Sequence, residues 1–153
     1  MSTGVLTGRT LAVLFIACTL TAGCTTQMIK NEGQAMAPTL NDGDRAFVSR
    51  RFETIERGDI IAFRYPNDES RNFLKRIVAL PGDRIESIDG RIHVNGAALA
   101  EPYVAEGNRS ADSWGPVVVE ADQYFVMGDN RRNSSDSRHW GPVRRDAVWG
   151  KVI

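Results

Sequence analysis

From Arg45 onward the chain alternates short apolar runs with turn residues, and the runs have strand length rather than helix length. Arg45-Ala46-Phe47-Val48 reads as one strand. Asp59-Ile60-Ile61-Ala62-Phe63 reads as a second, entered through Arg57-Gly58 and stopped at Pro66-Asn67. Phe73 to Leu80 is a third, closed by Pro81-Gly82-Asp83. The runs Arg84-Ile85-Glu86-Ser87-Ile88 and Arg91-Ile92-His93-Val94 flank Asp89-Gly90, a two-residue turn that tolerates positive φ, and so predict a hairpin. Val117-Val118-Val119 and Gln123 to Met127 add two more strands, and Asn108 to Trp114 is the most loop-like stretch. No segment past residue 25 carries a sustained 3.6-residue apolar period, and no internal repeat or linker divides the chain. The pattern predicts an all-β domain of many short, mostly antiparallel strands over residues 25–153.

The first 24 residues follow another rule. Arg9 is the only charge among them, and it precedes an uncharged run from Thr10 to Gly23 with an apolar centre at Leu11 to Cys18. Fourteen residues of helix reach only about 21 Å. That is short of a bilayer core and suits the hydrophobic part of an export signal. The run ends Leu20-Thr21-Ala22-Gly23-Cys24, small residues before a cysteine, which resembles a bacterial lipidation site at Cys24, with Thr21 where leucine is usual. An uncleaved anchor and an ordinary signal peptide are the other two readings. The expectation is a membrane-anchored, exported domain, in the periplasm or on the outer face of the cytoplasmic membrane, with a membrane as partner.

Charge and cysteine content narrow the partners. The 19 basic and 19 acidic residues cancel, with no basic stripe, which argues against a nucleic-acid partner. Both cysteines, Cys18 and Cys24, lie in the leader, so no disulfide is expected in the folded part even after export. No Cys/His cluster has metal-ligand spacing, and neither metal nor cofactor is expected. The sequence is silent on oligomeric state.

Four blocks carry the candidate chemistry: Gly33-Gln34-Ala35-Met36-Ala37-Pro38-Thr39-Leu40, Arg57-Gly58-Asp59-Ile60-Ile61, Lys75 to Asp83 (KRIVALPGD), and Gly128 to Arg138 (GDNRRNSSDSR). Their order, spacing and content resemble the type I signal peptidases, serine–lysine endopeptidases that remove signal peptides from exported preproteins. The resemblance runs from about residue 33 to the end and fits the compact forms of that family. It implies a signal-peptidase-like compact β-fold, with signal-peptide-like extended segments as partners.

The resemblance also assigns roles. Lys75 matches the general base, and Ser134 the serine that orients it by a hydrogen bond. Asp136 and Arg138 match a buried ion pair that fixes the loop. Gly33, Gln34 and Met36 flank the nucleophile position in the oxyanion and substrate-binding segment. The backbone N–H of that position serves as oxyanion donor. The nucleophile itself is where the chain departs, because Ala35 stands at the position of the serine. An alanine methyl cannot attack a carbonyl carbon, so the covalent route is lost. Thr39 is too far along the chain to substitute without displacing backbone.

Strand periodicity puts Phe73, Ile77 and Ala79 on the face of Lys75 and Arg76 on the other. Such an apolar setting is what a lysine needs to act as a base near neutral pH. His139 stands beside Asp136 and Ser137, but neighbours in one loop seldom reach triad geometry. His93 is expected to be exposed. Arg131-Arg132 and Arg144-Arg145 read as solvated or lipid-facing. Met36, Phe52 and Trp114 read either as core or as membrane-facing.

Three functions follow. The chain is a signal-peptidase-like protein that binds but does not cut, taking an extended segment by strand addition beside a strand at Gly33 to Met36. Alternatively it is a signal peptidase carried as an inactive Ser-to-Ala variant, or a non-catalytic envelope lipoprotein.

Overall fold

The computed structural model describes residues 25–153. The leader, with Cys24 and the lipidation expectation, lies outside the described residues. The strands are β1 (Thr26–Lys30), β2 (Arg45–Ser49), β3 (Ile60–Tyr65), β4 (Asp68–Ala79), β5 (Arg84–Ile88), β6 (Arg91–Val94), β7 (Ala97–Ala98), β8 (Trp114–Val118), β9 (Gln123–Met127), β10 (Val143–Arg144) and β11 (Val148–Val152). A single turn of helix, α1 (Ser137–Trp140), breaks the β pattern. Seven strands form one sheet in the order β1-β2-β11-β3-β4-β9-β10, and four form a second in the order β7-β6-β5-β8. Every pairing is antiparallel, as the short alternating runs predicted.

Local chemistry explains where the chain turns. Asp89 and Gly90 both take positive φ, 50° and 77°, the backbone a tight hairpin turn between β5 and β6 requires. Pro66-Asn67, read from sequence as a stop, is the turn of a hairpin: β3 reverses there and pairs with β4 from Ile60↔Arg76 to Tyr65↔Asp68. The strand β4 therefore begins five residues before Phe73. Its first half, Asp68 to Asn72, is polar and exposed, and so had no apolar signal to read.

Three apolar clusters hold the layers together. Ile85, Ile92 and Val94 of the small sheet pack on Val78, Ala79, Phe125 and Met127 of the large one, with the Trp114 ring stacked 5.4 Å from Phe125. Each of these large side chains contributes roughly 1.5–3 kcal/mol by leaving water. A second cluster joins Ile61, Phe63, Ile77, Tyr124, Val126 and Val143. The third joins Ala46, Val48, Ala62 and Leu74 near β11, where Gly150 lies so close to Val48 that a Cβ would collide with it.

One expectation about β4 is corrected here. The pairing of β4 with β9 shifts register between Ile77 and Ala79, a bulge that turns Ala79 away. Ala79 packs with Val78 in the intersheet cluster, while Phe73 and Ile77 share the second. The structure also settles two of the three open apolar residues: Met36 is 1% exposed and Trp114 packs against the core, while Phe52 is half-buried.

Candidate active site

The segment after β1 is a chain of turns, not the strand expected at Gly33 to Met36. Gly33 takes φ of 82°, and the Ala37 and Leu40 amides donate to Gln34 and Met36 carbonyls. A strand cannot form because these local bonds use the groups that a ladder would pair. The buried Asn31 side chain donates to the carbonyls of Gly33, Leu40 and Asn41, and the Asp42 carboxylate accepts from Gly33 N–H at 2.8 Å. The turn is thereby fixed from below. Ala35 is held from the other side, since its carbonyl accepts from Asn130 N–H at 3.0 Å.

That bond ties Ala35 to the loop Gly128 to Arg138. Gly128 lies against the same carbonyl. A Cβ there would collide with both the Ala35 carbonyl and the Ser134 side chain, so only glycine lets the two segments meet. Ser134 Oγ is buried near the Asp136 carboxylate without a hydrogen bond of ordinary geometry, and none joins it to Lys75. Asp136 is fully buried. It accepts two bonds of 2.8 Å from the Arg138 guanidinium, and a third, at 3.0 Å, from Gly128 N–H. Burial alone would raise this carboxyl, but the Arg138 pair and the Gly128 amide outweigh it and hold it below the usual range.

Lys75, on β4, is 5% exposed. Its Nζ lies 5.1 Å from the Phe73 ring centre. No hydrogen bond or ion pair engages the amine among the described residues. Burial pulls it down to about 8, against the weaker opposing pull of the Asp136 and Asp129 carboxylates. Each of those carboxylates already has its own arginine. Arg76 grips Asp129 with two bonds of 2.8 and 2.7 Å, reaches the Gly58 carbonyl at 2.7 Å, and lies 4.0 Å above the Tyr103 ring. Thr39 Oγ1 also donates to Asp129, linking the turn segment to the same pair.

A drop from the ordinary 10.5 to about 8 means that folding around charged Lys75 costs about 3 kcal/mol. Below pH 8 the amine is charged in both states and the cost is complete. Between pH 8 and 10.5 the unfolded chain holds a proton that the folded chain does not, so stability climbs with pH. Lys75→Met is therefore expected to be more stable by about 2–3 kcal/mol at pH 7, with most of the gain gone at pH 10.5. Urea unfolding of both proteins at the two pH values measures this. An advantage that does not change with pH would contradict the burial.

Ala35 and Lys75 line one groove of about 570 Å³, together with Gly33, Gln34, Asn133 and Ser135. Its other walls come from β1 (Gln27, Ile29, Lys30), from the exposed half of β4 (Arg71, Asn72) and from Trp149. Met36 does not line the groove, because its side chain is turned into the protein.

Other expectations change. Arg131 is not solvated: it makes a bidentate pair with Glu101, the closer contact at 2.6 Å, with both side chains under 5% exposed. Arg132 and Arg144 are exposed, and Arg145 reaches Tyr124 Oη at 2.8 Å. His139 faces solvent and caps α1, its Nδ1 3.5 Å from Asp136 N–H, so it forms no triad. His93 is half-buried and touches the Arg91 carbonyl.

The fold and the groove define a small antiparallel β protein with a buried lysine beside a turn-held backbone. Its relatives give that class a name. The family model described as signal peptidase, peptidase S26, matches residues 5–153, and the chain belongs to that family. It is 41% identical over 119 residues to a signal peptidase I of Bacillus amyloliquefaciens, covering 71% of this chain and 63% of that protein. It is 37% identical over 131 residues to a signal peptidase I of Leptolyngbya laminosa, covering 78% and 63%. A crystal structure of a signal peptidase I from Enterococcus faecalis superposes with a TM-score of 0.61 at 32% identity, covering 67% of this chain and all of that one. The chain thus spans a little under two thirds of the length of these two curated relatives.

Proposed function

We propose that this chain is a signal-peptidase-fold protein of the cell envelope that holds signal-peptide-like segments in its groove without cutting them. The observation that carries the reading is that Ala35 and Lys75 line the same groove, with the amine buried and low enough to shed its proton near pH 8. Lys75 is the base position and Ala35 the nucleophile position. Ser134, whose buried hydroxyl lies near the Asp136 carboxylate, is the group available to orient the amine. The Asp136–Arg138 pair stiffens the loop that carries Ser134. The Ala35 N–H, which no carbonyl among the described residues accepts, is the remaining oxyanion donor, with Gly33 and Gln34 shaping the approach. The bound segment lies along the groove between the turn at Gly33–Ala35 and the wall formed by β4, and the leader places the domain at the membrane.

A labelled peptide carrying small residues at the −1 and −3 positions of a cleavage site tests this. Titrated into the unaltered protein, it is expected to bind saturably and to remain intact by mass spectrometry. Cleavage by the unaltered chain would overturn the loss of catalysis. No binding would favour a structural envelope role. The preserved Lys75, Ser134 and Asp136 equally support a second reading, a peptidase whose serine has been exchanged for alanine.

A further inference from the structure

We propose that the groove selects peptides ending in a free carboxylate, with Lys75 as the counter-ion and the space beside Ala35 as the seat of the second carboxylate oxygen. This rests on the reading of the groove as a peptide site and adds the chemistry of what it prefers. Its natural ligand is then a cleaved segment whose new C-terminal residue is small, the product of a peptidase rather than its substrate.

The first ground is an unpaired charge. Lys75 is 5% exposed, yet no hydrogen bond or ion pair meets its amine among the described residues. Asp136 and Asp129 face it from the Gly128–Arg138 loop, but they are committed to Arg138 and Arg76 at 2.7–2.8 Å. From its own strand only the Phe73 ring attends it. The groove adds Lys30, Glu32 and Arg71, so its charged lining carries four groups, three of them basic. A buried ammonium without a partner is costly, and an anion that enters with it regains that cost.

The second ground is what alanine removes. A serine at position 35 would put a hydroxyl oxygen where the chain now has only hydrogen. An internal carbonyl brings one oxygen to that place, whereas a terminal carboxylate brings two and a full negative charge. Without the hydroxyl, the second oxygen has room beside the Ala35 methyl and within reach of the lysine wall. The Ala35 N–H, which has no acceptor among the described residues, is a further donor for the first oxygen. One charge-assisted contact of this kind is worth roughly a 10- to 100-fold preference.

Three forms of one labelled peptide test this by fluorescence anisotropy: ending at a small residue as the free acid, ending there as the amide, and extended past it. At pH 7 the acid is expected to bind at least about tenfold more tightly than the other two. The preference is expected to shrink above pH 8 as Lys75 loses its proton, and to vanish in Lys75→Met, which should fold more stably than the parent. Equal binding of acid and amide overturns the carboxylate preference and leaves the peptide groove standing. Failure of all three to bind overturns both. A preference that survives Lys75→Met but is lost in Arg71→Ala would place the carboxylate at the groove mouth and also overturn this assignment.

Discussion

On the binding-without-cleavage reading, Ala35→Ser is expected to create cleavage of a preprotein after a small residue where the unaltered chain gives none. The gain should be large because the missing hydroxyl is one member of a coupled pair. Loss of one member costs about as much as loss of the whole, on the order of 10⁶-fold in hydrolases that work by the same logic. Even a restored site of indifferent geometry should cut measurably above background. The new hydroxyl would sit on a turn already fixed by Asn31, Asp42 and Asn130, opposite an amine that is already buried. Little reorganisation is then required. The rate should rise roughly tenfold per pH unit up to about pH 8 and level off above it, because only neutral Lys75 can take the serine proton. Adding Lys75→Ala should return the rate to background. A folded Ala35→Ser protein that stays inert, assayed by gel shift of a preprotein, would mean that the lysine and residue 35 do not work together.

Much of the fold is legible in the sequence, for an identifiable reason. Turn chemistry and local order carry their own signals. The β5–β6 hairpin follows from Asp89-Gly90, and β9 from the run Gln123 to Met127; both appear where the pattern put them. Among the strands the pattern does not announce are two whose signal is not local. β1 has only Met28 and Ile29 among polar neighbours, and β11 is interrupted by Gly150. Gly150 reads as a break in sequence, yet it is there to let Val48 approach. These omissions matter to function, since β1 and Trp149 supply groove walls that no motif announces. The segment Gly33 to Met36 errs in the opposite direction, expected as a strand but folded as turns, because its hydrogen bonds come from Asn31 and Asp42 outside the apolar pattern. Charge burial was the least visible property. Arg131 and Arg132 are adjacent and chemically alike, and only the position of Glu101, thirty residues away, separates them.

That pair carries the second large effect. Glu101→Ala is expected to destabilise the protein by about 3–5 kcal/mol, because it leaves the Arg131 guanidinium buried at 3% exposure without its anion. For a domain of this size that is a drop of roughly 10 °C or more in Tm. The cost lies in the orphaned charge more than in the loss of attraction. Replacing both partners, Glu101→Leu with Arg131→Met, is therefore expected to return stability to within about 1–2 kcal/mol of the parent. The double variant separates stability from positioning. Arg131 also donates from Nε to the Gly128 carbonyl at 2.9 Å, and its own carbonyl accepts from Arg138 at 2.9 Å. Gly128 is the residue against which the Ala35 carbonyl and the Ser134 side chain both pack. A well-folded double variant thus loses one of the bonds that hold this contact in register. On the Ala35→Ser background it should keep KM within about twofold and lose kcat by roughly tenfold or more, the signature of a misplaced nucleophile rather than a damaged groove. Equal kcat in the double variant would reduce the Arg131–Glu101 pair to a packing element, and Glu101→Ala as stable as the parent would show that water reaches the guanidinium.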